Sequence, residues 1–378
     1  VIPIFNSFCL IIALVLAEHL MRSHLERTGV KLIEEVQRYE SAESMSWYFE
    51  NILDFPPDIW AFYPGILFGC TRFGYSTGSR VIFLNGVGRL MKWSLILLFR
   101  QGRPFWVSDK IHMWHCPTQY GFPSGHAMLN LLCVGSILDF LDRRIRRGGK
   151  ATVLLLLVAR NIILGIYIVC VFGRLVLGTH FLHSLLMGAA CASLLLQLFT
   201  SQNVNIIRKR SIRAVADKYQ GGIWFWLDIL VGIMVTFAAL GLFVVLIRFI
   251  HDNTGSSDPL VWNARSIVGC GQPLDTSSVS PGIDGIIILM GCLVSNIING
   301  ILQGKESILN NDEFSQLYGT FSTRVRKSTY YTDGYFYASS RMCFAFGLLL
   351  WCPYRQISLG LSAVIALSCH GPDLKCKI

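Results

Sequence analysis

Two histidines and a small set of cations fall at spacings that suit attack on a phosphate ester. Pro123-Ser124-Gly125-His126 opens one apolar stretch, and Arg174 is followed after five residues by His180. Ahead of both stand Lys92 and the run Arg100-Gln101-Gly102-Arg103-Pro104. Guanidinium forks match phosphate oxygens two at a time. The free N–H groups of a helix start, here Ser124 and Gly125, make an anion site. Two histidines allow a division of labour, one attacking phosphorus and the other protonating the departing oxygen. Taken singly, each motif has a plainer reading. Arginines at span ends snorkel to headgroups, a Ser-Gly pair caps helices, and a lone boundary histidine is an interfacial side chain. Taken together, ionisable groups gathered at one membrane boundary mark a functional site.

The elements that must position these groups are membrane helices. The 378 residues are 53% hydrophobic and only 15% charged, against about 25% charged in an ordinary soluble domain. Mean hydropathy is +0.50. Apolar stretches near 58–74, 80–100, 125–142, 152–173, 180–199, 223–250 and 281–302 have spanning length, and shorter ones follow at 338–352 and 356–369. An all-α, polytopic membrane bundle of about nine transmembrane helices is therefore expected. The net charge of +10 sits in loops, a membrane pattern rather than a nucleic-acid one. Arg143 to Lys150, Arg208 to Lys218, and Arg324 to Lys327 are basic segments on one side of the expected topology. The positive-inside rule makes that side cytoplasmic and puts 101–124, 174–179 and 251–280 on the opposite face, with all the motifs. The 12 cysteines show no CxxC pair and no zinc spacing, so no metal site is indicated.

At the start, residues 1–20 have an open status. The run Val1 to Ala17 has the length of a signal-peptide core but lacks its basic start, and Met21 opens a polar segment. Residues 21–370 read as a single membrane domain with its motif core at about 80–200, and 371–378 as a cytoplasmic tail.

The Lys…Arg-Pro, Pro-Ser-Gly-His and Arg-x5-His set resembles the type 2 phosphatidic acid phosphatase superfamily. Within it, Phe105-Trp106-Val107, the run 123–128 through Ala127 and Met128, and His180-Phe181-Leu182-His183 resemble the glucose-6-phosphatase family. The loop with Trp262 and Gly271-Gln272-Pro273 fits too. The resemblance implies His180 as the nucleophile forming a phosphohistidine and His126 as the general acid. Arg103, Arg174 and Lys92, with the N–H groups of Ser124 and Gly125, would bind phosphate, and no metal or other cofactor is required. It further implies hydrolysis of glucose 6-phosphate at the lumenal face of the endoplasmic reticulum membrane. The lipid bilayer and a glucose-6-phosphate transporter are the implied partners, and nucleic acid is not.

Two departures bear on this. The superfamily's first motif has six residues between Lys and Arg, whereas ten separate Lys92 from Arg103. The excess is close to one helical turn and sets Lys92 back about 6 Å, which makes Arg100 a substitute candidate. The superfamily's Asp four residues after the nucleophile is Ser184 here, as in glucose-6-phosphatases, so what orients His180 is left open. Cys116 and Cys270 fall in loops on the motif side, where a disulfide and free thiols are both open. The competing readings are a lipid phosphate phosphatase of the same superfamily and a catalytically impaired relative acting as a binding protein.

Overall fold

The computed structural model describes residues 2–39, 42–49, 75–146, 149–218, 223–254, 259–275 and 280–312. The expected spans at 58–74, 338–352 and 356–369, the basic segment at Arg324 to Lys327, and the tail 371–378 lie outside the described residues. Helices run α1 (Ile2–Gln37), α2 (Ala42–Tyr48), α3 (Tyr75–Phe99), α4 (Pro104–Val107), α5 (Gly125–Ile145) and α6 (Lys150–Val176). They continue as α7 (Leu182–Leu198), α8 (Ser201–Lys218), α9 (Ile223–Thr254), α10 (Leu260–Cys270) and α11 (Ser280–Asp312). No strand occurs among the described residues.

Three described helical stretches are long and apolar enough to cross a bilayer: Arg80–Val107, Thr152–Val176 and Ile223–Asn253. A fourth arises if Leu182–Leu198 and Gln202–Ala216, bent by 54°, are counted as one. The expectation of about nine is thus met only in kind. α6 and α9 turn their apolar side chains outward: Leu154, Leu155, Ile168, Val235, Leu242 and Phe249 are exposed. Such helices have lipid, not protein, as their solvent. The basic segment at 201–218, expected as a loop, is the helix α8. Thr200 Oγ1 accepts the Asn203 N–H at its start (3.2 Å), and Val204 and Ile212 give it a buried face.

The chain divides into two compact units, one drawn from 1–62, 87–198 and 242–285, the other from 63–86, 199–241 and 286–378. In the first, α5 packs on α6 and α7, α1 on α7, and α4 on α10. Its core joins Ile33, Phe105, Trp106, Tyr120, Phe181 and Leu185, and a smaller cluster sets Trp93 and Leu97 against Ile247. All the motif residues belong to this unit. In the second, Arg80 Nε donates to the Phe199 carbonyl (2.8 Å), Phe83 meets Phe199 edge-on, and Gly86 lies against Ile288 and Leu289.

The sulfurs of Cys116 and Cys270 are joined in a disulfide with a Cα–Cα distance of 5.6 Å. It ties the loop between α4 and α5 to the end of α10, where Gly271 takes the left-handed conformation (φ 66°) that glycine adopts without steric cost.

Candidate active site

The site is assembled by one sharp exit from α3 and two helix starts. Arg100, at φ 47°, turns the chain out of α3, and its N–H still reaches the Ile96 carbonyl (3.2 Å). Pro104 then opens α4 without needing a donor, which leaves Arg103 just ahead of a helical turn. Gly102 is pressed by the Trp262 ring, since a β-carbon there would stand 2.8 Å from it. Ser124 caps α5 by accepting the Ala127 N–H (3.4 Å), while its own N–H donates to the Ser184 carbonyl (3.1 Å). α7 comes this close because residue 188 is glycine: a β-carbon there would be 2.5 Å from the Ser124 carbonyl oxygen.

His180 sits between α6 and α7, 4% exposed. Its Nδ1 lies 2.8 Å from the Gly121 carbonyl. A carbonyl only accepts, so Nδ1 carries the proton and Nε2 holds the lone pair. Ser184 Oγ donates to the same carbonyl and lies 3.4 Å from Nδ1. A backbone carbonyl therefore orients this ring where the superfamily uses Asp. Nε2 stands 3.3 Å from Arg103 Nη1. Burial, above all, then the charges of Arg103 and His126, and more weakly Arg174, drive the His180 pKa well below 6.5, against the opposing bond to Gly121. The ring is neutral at pH 7, with its free nitrogen facing a guanidinium.

Besides its contact with His180, Arg103 is held by three carbonyls: Nε donates to Gln119 (2.6 Å), Nη1 to Thr179 (2.9 Å) and Nη2 to Tyr120 (3.4 Å). Among the described residues no carboxylate pairs with it, so its charge is available to an anion. Arg174, in the last turn of α6, is 2% exposed and acts electrostatically on both Arg103 and His180. The His126 ring centroid is 6.4 Å from that of His180, so the two imidazoles share one site.

Of the two candidate cations behind Arg103, the structure brings one to the helix start and sends the other elsewhere. Lys92 lies on Gly125, where a β-carbon would stand 2.7 Å from its Nζ. The long Lys92–Arg103 spacing is accommodated because Gly102 and Arg103 leave the helix axis after Arg100, so the extra turn does not carry Lys92 away from α5. Arg100 Nε is instead 3.1 Å from His251 Nδ1 on α9.

Gln101, fully buried, and Gly121, the acceptor for His180, were not singled out from the sequence. Gln101 sits inside a motif, so its neighbours were the only signal. Gly121 contacts His180 through its backbone across 59 residues, and no residue-type pattern announces that.

Residues 72–208 match the family model of the PAP2 superfamily, whose members are phosphatases. That span contains Lys92, Arg103, the Ser124–His126 turn, Arg174 and His180. No curated protein and no solved structure matches the chain.

Proposed function

We propose that the chain is a membrane phosphohydrolase that hydrolyses glucose 6-phosphate to glucose and phosphate by way of a phosphohistidine on His180. What carries the reading is the neutral, backbone-oriented His180 with Nε2 3.3 Å from the buried guanidinium of Arg103. Nε2 attacks phosphorus and the phosphorus–oxygen bond to the sugar breaks. His126 gives its proton to the departing alkoxide. Neutral again as a base, His126 takes a proton from water, whose oxygen displaces His180 and releases phosphate. The equatorial oxygens gather negative charge in both steps. Arg103, Arg174, Lys92 and the N–H group of Gly125 stabilise it in place, without reorganising; the Ser124 N–H, expected among them, is instead engaged by the Ser184 carbonyl. In this scheme Lys92, not Arg100, supplies the third cation.

The preference for a sugar phosphate rests on the family-like Phe105-Trp106-Val107 and His180–His183 segments. A lumenal site in the endoplasmic reticulum is supported by the Cys116–Cys270 disulfide on the motif side, since such bonds persist in oxidising compartments. The positive-inside rule assigns the basic segments at 143–150 and 208–218 to the opposite, cytoplasmic side. A lumenal site would need a transporter to deliver its charged substrate. Lys92 at the start of α5 argues against the impaired-relative reading.

The test is hydrolysis by membranes containing the full chain, with glucose 6-phosphate, other sugar phosphates and phosphatidic acid offered in parallel and His180→Ala as control. The expected outcome is preference for glucose 6-phosphate and loss of turnover in the variant. Preference for phosphatidic acid would move the chain to the lipid phosphatases, and turnover that survives in His180→Ala would remove the phosphohistidine route.

A further inference from the structure

Behind the catalytic face lies a closed ring of contacts that no motif predicts. The Gln101 carbonyl accepts the Gly121 N–H (2.8 Å). The Gly121 carbonyl, on the same residue, accepts His180 Nδ1–H (2.8 Å). Three residues on, His183 Nε2 lies 2.7 Å from Gln101 Nε2 and closes the circuit. Gln101 has no exposure at all, and the His183 side chain is only 11% exposed. Glu18 of α1, also buried, braces the amide from outside: its Oε2 accepts from Gln101 Nε2 (3.3 Å). The His183 ring is held flat by Phe181 (5.4 Å, 13°) and flanked by Phe122 (5.9 Å). A buried amide and a buried imidazole are costly unless they are hydrogen-bonded. Here their bond joins the exit from α3, where the Gln101 carbonyl holds Gly121, to the helix that follows His180.

We infer that Gln101 and His183 are positioning residues for the phosphoryl transfer proposed above, acting through the Gly121 carbonyl to set the direction of His180 Nε2. The inference rests on that reading. Neither side chain touches the reacting atoms. Gln101 holds Gly121 through its backbone carbonyl and His183 fixes Gln101 through the side-chain amide, so the pair sets the carbonyl that orients His180. The same segment supplies Arg103 with its Gln119 and Tyr120 acceptors, so the ring also steadies the first phosphate-binding cation.

The experiment is a double-mutant cycle on the full chain in membranes. Gln101→Met removes the amide at similar volume, and His183→Phe removes Nε2 while retaining the ring contacts with Phe181 and Phe122. Each single variant is expected to lower kcat by about 10- to 100-fold, the cost of misplacing a reacting group by up to about 1 Å. KM should stay within about threefold, and labelling of His180 by a phosphate-labelled substrate should slow by the same factor as kcat. The double variant should fall no further than either single, because both break one ring. Wild-type kcat in either folded variant, or losses that multiply in the double, overturns the inference. A rise in KM alone does so too. If Gln101→Met does not fold, His183→Phe decides through the same split of kcat from KM. Failure of the phosphohydrolase reading looks different: the wild-type chain itself takes up no label and turns nothing over, and the positioning role falls with it.

Discussion

Gly125→Ala separates the role of Lys92 from the stability of the helix it touches. The added methyl would sit 2.7 Å from Lys92 Nζ, and the three nearest atoms to it all belong to Lys92. Ordinary contact begins near 3.4 Å, so the ammonium must retreat by about 0.7 Å or more, a displacement of the size that costs on the order of 100-fold in rate at a catalytic group. That is about 2.7 kcal/mol of transition-state stabilisation. Alanine retains the backbone N–H offered to phosphate. It also gains helix propensity over glycine, at most about 1 kcal/mol. Thermal stability should therefore hold or rise while kcat/KM with glucose 6-phosphate falls about 100-fold. Lys92→Ala should lose about 100- to 1000-fold, as for removal of one transition-state donor. The double variant Lys92→Ala/Gly125→Ala should match Lys92→Ala, since the three atoms nearest the methyl leave with the lysine. Full activity in Gly125→Ala, or a double variant that loses the product of both factors, would refute the assignment of Lys92.

Arg100→Ala should cost less than about tenfold in kcat/KM, well short of Lys92→Ala, because its guanidinium is directed at His251; the reverse order in steady-state kinetics would restore Arg100 as the third cation. His126→Ala should slow turnover by about 100- to 10,000-fold, and an aryl phosphate with a good leaving group should suffer less, so equal losses on both substrates would argue against the general-acid role. With the His180 pKa held below 6.5 by burial, Arg103 and His126, the acid limb of kcat/KM should lie below pH 6.5 once the substrate's own ionisation near about 6 is corrected for. The same shift makes the unfolded state bind more protons, so the contribution of His180 to stability is full above about 6.5 and drains away as pH falls from there towards its folded value; an acid limb at or above 6.5 would contradict the neutral ring. A glycosylation sequon inserted within 108–115 should be modified and one within 143–150 should not, and the opposite pattern would invert the topology.

The motif residues were legible in the sequence as candidates because each motif depends on residue type at short range. Pro-Ser-Gly-His announces a capped helix start, and Arg-x5-His puts a cation and a nucleophile on either side of one turn. The helical membrane class was equally legible, since runs of apolar residues without charge have few other solutions. Tertiary structure decided what those residues touch. The spacing of Lys92 suggested a cation lost to depth, yet the left-handed turn at Arg100 lets Arg103 leave the helix axis while Lys92 stays against Gly125. Arg100, three residues from Arg103 in sequence, is carried by that same turn towards α9. The orientation of His180 was the least readable feature, because its partner is a backbone carbonyl that every residue possesses. Only the fold selects Gly121 from among them, by bringing the chain ahead of α5 against the start of α7. The sequence put Cys116 and Cys270 in loops on one side and left a disulfide and free thiols both open; the packing of α10 on α4 brings the two, 154 residues apart, within bonding distance.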